Sequence, residues 1–241
     1  MKISVIIPAF NEQDSITQCV LDFKKLIFVS EVIVVNNNSS DKTESFAKNS
    51  GAIVISEKQQ GYGAAIATGI KYAKGDYICV CEADQTFIAS DLNRLVAYLD
   101  QFEVVLGSRT SSNLIWSNAY MPNWVRWGNW FVGKLVELLF NGPSLTDIGC
   151  TFKVMKRNIA LSSLQANLTN GSRYNQEFIL FLCLKQYKVV ELPVNYKVRV
   201  GESKITGERP LKTFVLGIQM ILDILIVKVF PSKKKSDRKR N

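Results

Sequence analysis

The chain contains no histidine. That removes histidine-based triads, histidine-ligated metals and imidazole acid–base chemistry together. Its five cysteines (Cys19, Cys79, Cys81, Cys150, Cys183) are odd in number and scattered, without the paired spacing of a zinc site. They read as reduced core residues and point to a cytoplasmic setting. No low-complexity block interrupts the 241 residues, and a hydrophobic content of 47% argues for a globular protein. No apolar run reaches the roughly 20 residues of a membrane span. Met1-Lys2 leads straight into a strand-like run, so no signal peptide is expected. Cationic excess is also missing from most of the sequence. Six basic residues and one Asp between Ser232 and Asn241 carry +5 of the formal +9, so the charge marks a tail and no nucleic-acid groove is expected.

What is present centres on Gly75 to Phe87. A glycine turn leads into six residues that read as a buried strand, Asp76 to Cys81, and the strand ends in two carboxylates, Glu82 and Asp84. In open α/β sheets ligands bind beyond the carboxyl ends of the strands. Two carboxylates there offer hard oxygen ligands to Mg²⁺ or Mn²⁺, metals typically shared with substrate phosphates; the plainer alternative is a solvated acidic turn.

The rest of the first hundred residues alternates strand and helix. Ile3–Ile7 reads as a strand ended by Pro8, followed by a helix from Asp14 or Ser15 to about Phe28. Glu31–Val35, Ala52–Ile55 and Val104–Leu106 read as further strands. Between them lie a helix ending at Gly51, another from Gly61 to Lys74, and a third from Ser90 or Asp91 to about Gln101. This pattern implies right-handed βαβ units and a mostly parallel sheet in an α/β fold. The glycines of Gly61-Tyr62-Gly63 either let a helix N-terminus approach an anion or serve close helix packing. Arg109, after Gly107-Ser108, either pairs with phosphate or forms a surface ion pair.

The aromatic stretch from Trp116 to Phe140 is expected to be largely helical and to belong to the core. Leu145–Phe152 is expected to return to the sheet, Arg173–Gln186 to form a helix carrying Glu177, and Val189–Leu192 and Val194–Val198 to be short edge strands. Phe214–Phe230 is apolar apart from Gly217, Gln219, Asp223 and Lys228. Gln219 and Asp223 lie four apart on one face, leaving a broad apolar face to pack on the domain or to lie on a membrane. The basic run Lys233–Lys235 and Arg238–Arg240 favours an anionic membrane surface.

Several motifs in order resemble family 2 glycosyltransferases of the GT-A nucleotide-diphospho-sugar fold, most nearly the dolichol- or polyprenyl-phosphate sugar synthases. They are Ile7-Pro8-Ala9-Phe10-Asn11-Glu12, Val35-Asn36-Asn37-Asn38-Ser39-Ser40-Asp41, Gly61-Tyr62-Gly63-Ala64-Ala65, Gly75-Asp76-Tyr77, Gly107-Ser108-Arg109 and Gly201-Glu202-Ser203-Lys204. The resemblance covers about residues 1–210. It implies that Pro8, Phe10, Glu12, Val35 and Asn37 hold base and ribose, with Tyr62 in the same donor-binding set. It places Glu82, Ala83 and Asp84 at the diphosphate and metal, with Asp84 the first choice as direct ligand. Arg109, Arg126 and Lys204 would neutralise donor or acceptor phosphate. Asn36-Asn37 departs from the usual aspartate pair and Glu82-Ala83-Asp84 from Asp-x-Asp, so the donor is UDP- or GDP-linked.

The implied reaction is an inverting transfer from a nucleotide sugar to a polyprenyl phosphate. A phosphate monoester is largely dianionic at neutral pH and needs no protein base, which fits a chain without histidine. With a sugar hydroxyl as acceptor a carboxylate must take the proton, and Glu177 or Asp147 are the candidates. A non-catalytic membrane adaptor of the same fold is the third possibility. The expected organisation is a transferase domain over 1–210, an interfacial helix over 211–230 and a disordered basic tail over 231–241, peripheral on the cytosolic face of a membrane.

Overall fold

Seven strands form one sheet in the computed structural model, which describes residues 1–117, 119, 121–166, 168–201 and 210–229. In chain order the elements are β1 (Ile3–Ala9), α1 (Ile16–Lys24), β2 (Val29–Asn36), α2 (Thr43–Asn49), β3 (Ile53–Ser56), α3 (Tyr62–Tyr72), β4 (Tyr77–Val80) and α4 (Leu92–Val96). There follow β5 (Val104–Ser108), α5 (Asn123–Phe140), β6 (Lys153–Lys156), α6 (Arg157–Gln165), α7 (Tyr174–Leu184), β7 (Val189–Pro193) and α8 (Pro210–Val229). The strand order is β3-β2-β1-β4-β6-β5-β7. Every pairing is parallel except the two made by β6, which runs antiparallel to β4 and to β5. The α/β expectation of a mostly parallel sheet therefore holds.

The β-branched runs of β1, β2 and β4 are covered on both sides, as parallel strands require. Alternate residues face opposite cores. Ile6, Ile33, Val35, Ile78 and Val80 meet α3, α5 and α7, while Val5, Ile7, Val34 and Cys79 meet α1 and the residues of α4. Going outward from β1, chain order rises toward β3 on one side and toward β4 and the later strands on the other. That reversal opens a crevice beyond the carboxyl ends of β1 and β4. Phe10–Glu12 and Glu82–Asp84 leave the sheet there.

Several expectations need correction. Pro8 does not end the first strand; it pairs in register with Val35. Ile6 O accepts from Cys81 and Ala9 O from Asn37, so by alternation the missing Pro8 N–H faces the side where β4 has already ended. The first helix stops at Lys24 because Phe28 is drawn to the sheet, its carbonyl accepting the Ile3 N–H at 2.9 Å. The helix after Asp91 is shorter than expected, ending at Val96. Leu145–Phe152 is not sheet. The backbone N–H groups of Thr146 and Asp147 go to the Glu191 carboxylate, and the strand starts at Lys153. After Pro193 the chain leaves the ladder, and Tyr196 makes only an isolated bridge to Ile115. Helix α6 was not anticipated.

The aromatic helix also reverses expectation. α5 buries Val132, Gly133, Val136 and Phe140 and turns its tryptophans outward. α8 is reversed in the same sense. Asp223 faces inward to Arg173 at 2.5 Å, beside buried Ile224 and Val227, and apolar side chains face out. Among the described residues no helix is long and apolar enough to cross a membrane. The loop carrying Lys204 and the basic tail lie outside the described residues.

Candidate functional site

Three loops leave the carboxyl edge through left-handed, non-glycine residues: Asn11 after β1, Asn38 after β2 and Gln85 after β4, with φ of 54°, 64° and 61°. Side chains lock these turns. Asn11 Oδ1 accepts the Ser40 N–H at 2.8 Å, and Asp84 Oδ1 accepts both Thr86 N–H (3.0 Å) and Thr86 Oγ1–H (2.7 Å). Non-glycine residues held at positive φ concentrate where surrounding structure over-determines the backbone, often at functional sites.

Asp84 is only 1% exposed, and its second oxygen, Oδ2, has no hydrogen-bond partner among the described residues. Its compensation is a cation: Arg199 Nη1 lies 2.9 Å from it. Arg199 Nη2 also donates to Glu12 Oε1 at 3.0 Å, so one guanidinium bridges the β1 and β4 loops. The backbone helps, since Val200 N–H donates to Asp84 O and Lys197 N–H to Thr86 O. Glu82, two residues before Asp84, is half-buried. Burial, and then the neighbouring Asp84 carboxylate, push Glu82 far above the usual carboxylate range, to about 8. Burial likewise raises Glu12.

Behind this pair Arg109 is pinned. Its Nε and Nη2 donate to the two oxygens of Asp147 at 2.8 and 2.9 Å, and its own N–H adds a third bond at 2.9 Å. Asp147 in turn is held by Glu191, which accepts its N–H at 2.8 Å. The guanidinium lies 5.4 Å from the centroid of the Tyr196 ring. Burial works against its charge, and Asp147 more than offsets that, so Arg109 stays a fixed cation. A second buried cation, Lys153, donates to Asn175 Oδ1 and sits over the Phe178 ring. Burial pulls its ammonium down to about 8. Sequence reasoning missed Lys153, Glu191 and Arg199. The one available signal was a lone lysine inside the apolar run Phe152–Met155.

Comparison with known proteins is decisive at one level. The model of glycosyl transferase family 2 matches residues 4–162. The chain belongs to this family. Curated relatives include the low-salt glycan biosynthesis hexosyltransferase Agl6 of Haloferax volcanii, 27% identical over 84% of this chain and 49% of that protein; the chain thus spans about half the length of that relative. The dolichyl-phosphate hexose transferase of the same organism is 24% identical over 84% of this chain and 86% of that protein. A crystal structure of glucosyl-3-phosphoglycerate synthase from Mycobacterium tuberculosis, in complex with Mn²⁺, UDP-glucose and phosphoglyceric acid, has a TM-score of 0.67 at 19% identity. It covers 94% of this chain and 79% of that one. The fold is that of the GT-A glycosyltransferases, and the protein is a glycosyltransferase.

Within the family frame, the placements of the residues singled out from sequence differ. Pro8, Phe10 and Glu12 line the crevice edge, Phe10 half-buried. Val35 is fully buried and Ala83 nearly so, so neither side chain is open to a ligand. Tyr62 opens α3, and its buried hydroxyl has no hydrogen-bond partner among the described residues. Arg126 is half-buried on the first turn of α5. Glu177, on the first turn of α7, accepts the Thr169 N–H at 2.7 Å. The glycines of the 61–63 motif serve packing. A Cβ on Gly61 or Gly63 would strike the backbone oxygens of Asn170 or Thr169, and Gly63 N–H donates to Asn170 O at 2.8 Å. The first N–H groups of α3 are therefore taken by protein, not held open for an anion.

The Asn37 departure from the family pattern acquires a local cause. Its amide donates to Glu57 O (2.9 Å) and Gln59 O (2.8 Å), and its oxygen accepts Gly61 N–H (2.7 Å). A carboxylate offers no donor to either carbonyl. Asn37→Asp is therefore expected to cost about 1–3 kcal/mol, the penalty for leaving buried polar groups facing each other unpaired. Urea unfolding of the two proteins reads this directly, and equal midpoints with equal slopes would refute it.

Proposed function

We propose that this glycosyltransferase moves a hexose, with inversion, from a UDP- or GDP-linked donor to a polyprenyl (dolichyl-type) phosphate at the cytosolic face of a membrane, using Mg²⁺ or Mn²⁺. The observation that carries the acceptor assignment is Asp147. Both oxygens of this candidate base are committed to the Arg109 guanidinium, and one also to the Gly149 N–H. A site that spends its carboxylate in fixing a cation suits a nucleophile that arrives already ionised. A phosphate monoester, with its second pKa near about 6, is such a nucleophile.

The residues fit a divalent cation. Asp84 Oδ2 is buried without a hydrogen bond among the described residues, and Glu82 is forced toward its protonated form by burial and by Asp84. Among the described residues no third acidic, cysteine or histidine ligand completes a cluster, so Asp84 and Glu82 would share the ion with diphosphate oxygens and water. When bound, the ion supplies charge neutralisation to the departing diphosphate. The chain's own residues do the rest. Arg109, immobilised through Nε and Nη2 beside the Tyr196 ring, would meet phosphate as a fixed cation. The Tyr62 hydroxyl is a donor for a sugar or diphosphate oxygen, and Arg126 and Lys204 complete the cationic set on the strength of the family resemblance. The acceptor oxygen attacks the anomeric carbon as the bond to the nucleoside diphosphate breaks, so catalysis rests on positioning and on charge.

The test is a transfer assay with UDP- and GDP-linked hexoses against a short polyprenyl phosphate and against a glycan hydroxyl acceptor, each with and without chelator. Chelator-sensitive labelling of the lipid phosphate is expected. Labelling of the hydroxyl acceptor alone would overturn the acceptor assignment, and no transfer from any donor would favour the adaptor reading.

A further inference from the structure

All four tryptophans of the chain fall between residues 116 and 130. All four are open to solvent: Trp116, Trp124, Trp127 and Trp130 are between 41% and 62% exposed. On α5 the outward stripe continues at helical spacing through Phe131 to Leu138, which is 80% exposed. The neighbouring α8 turns Ile218, Leu222, Leu225 and Val229 outward. The two helices are joined where Lys228 donates to Leu139 O and lies 5.5 Å from the centre of the Phe140 ring. Soluble proteins rarely leave so much contiguous apolar surface in water.

We propose that the outer faces of α5 and α8 together enter the headgroup layer of an anionic bilayer, with the α5 tryptophans seated at its boundary. This rests on the membrane-surface part of the reading above and extends it from the C-terminal helix to the wall of the active site. Charge selects the occupant. The one acidic residue of α8, Asp223, is turned inward to Arg173, and Glu137 of α5 is tied to Lys134 at 2.6 Å. Lys228 is exposed, and the sequence just beyond α8 adds +5. A second copy docking on the same face would bring those like charges together, whereas anionic lipid complements them. Tryptophan is itself the residue type enriched at the bilayer–water boundary.

The same helix touches the chemistry on its inner side. Asn129 and Arg109 both close over Gly149, where an added Cβ would lie 3.1 Å from Asn129 Oδ1 and 3.0 Å from Arg109 Nη2. The lipid surface and the fixed cation therefore stand on opposite sides of one helix, roughly 10 Å across. A lipid-borne phosphate reaches Arg109 from this surface without leaving the headgroup layer.

Three of the four tryptophans (Trp124, Trp127 and Trp130) lie on α5, while Trp116 packs beside Asn195 and Lys197, so intrinsic fluorescence reports mainly on this surface. The full chain is titrated with phosphatidylglycerol-containing vesicles whose acyl chains are brominated, and with neutral phosphatidylcholine vesicles. We expect a blue shift and loss of more than half the emission with the anionic vesicles, reversed by 0.5 M salt, which is on the order of the concentrations that screen surface charge. The double variant Trp127→Ser/Leu138→Ser should partition at least tenfold less, while transfer to a short water-soluble acceptor phosphate stays unchanged. Co-sedimentation with vesicles but unquenched tryptophan would assign binding to the tail alone and overturn the proposal. So would a lipid-free dimer that the double variant dissolves, or no vesicle binding at all. Quenching without transfer to any lipid phosphate would uphold this surface and remove the acceptor assignment, which keeps the two failures apart.

Discussion

Asp84→Asn is expected to lower sugar transfer by about 10²–10³-fold or more, the scale seen when one fixed electrostatic group is removed from a site of developing charge. The substitution preserves volume, and its remaining oxygen can still accept the Thr86 N–H and hydroxyl that shape the turn at Gln85. What it removes is the negative charge on an oxygen that, among the described residues, has no hydrogen bond and is offset by Arg199. Arg199 retains Glu12, so the fold should survive with little change in thermal midpoint. Mn²⁺ binding, followed by electron paramagnetic resonance in the presence of nucleoside diphosphate, should fall in parallel with rate. Glu82→Asp should be milder and should use metal at least as well, since it restores the common family spacing of two aspartates. Wild-type turnover by Asp84→Asn across a Mn²⁺ titration would remove Asp84 from the metal site.

What was legible in the sequence follows the range of the interactions involved. β1, β2 and β4 were readable because a strand buried on both faces needs an unbroken β-branched run, and that is a local property. The turn residues after them were readable for the same reason. α6 was not, because Arg157–Gln165 mixes serines with apolar residues and is held by packing on β6 and β4. The carboxylates Glu82 and Asp84 could be found from one strand end. Their partners could not: Arg199 meets Glu12 across 187 residues of sequence, and Asp147 meets Arg109 across 38. Only tertiary structure brings such pairs together. α5 and α8 were misread for another reason. Periodicity identifies two faces, but where both are apolar it does not say which one turns inward. On α5 the small face with Val132, Gly133 and Val136 fits against α7 and the Leu145 backbone, and the bulky tryptophan face does not. On α8 the acid that, with Gln219, suggested the wet side is turned inward by its ion pair with Arg173.

The largest effect on stability is expected at Asp147. Its side chain is 0% exposed and that of Arg109 15%, and three hydrogen bonds join the two residues. Asp147→Asn leaves the guanidinium in place with no charge to meet it and turns an amide donor toward its N–H groups. Breaking a buried pair by removing one partner costs about 3–5 kcal/mol, a large share of the roughly 5–15 kcal/mol that holds a domain folded. The urea midpoint should therefore fall steeply. Arg109→Lys separates stability from catalysis. Lysine keeps the charge but loses the planar fork, so it can satisfy one Asp147 oxygen or reach outward, but not both. Its unfolding free energy should drop less than that of Asp147→Asn, while its transfer rate should drop by at least about tenfold, a change of about 1.4 kcal/mol in the barrier. If Arg109 serves only to hold the fold, the ranking inverts: transfer per folded molecule would match wild type in both variants, and phosphate would have to be met by other cations. If Arg109 is the cation that receives phosphate, Arg109→Lys remains slow even where it is fully folded. Single-turnover rates at saturating donor, measured below the first unfolding transition, decide between the two.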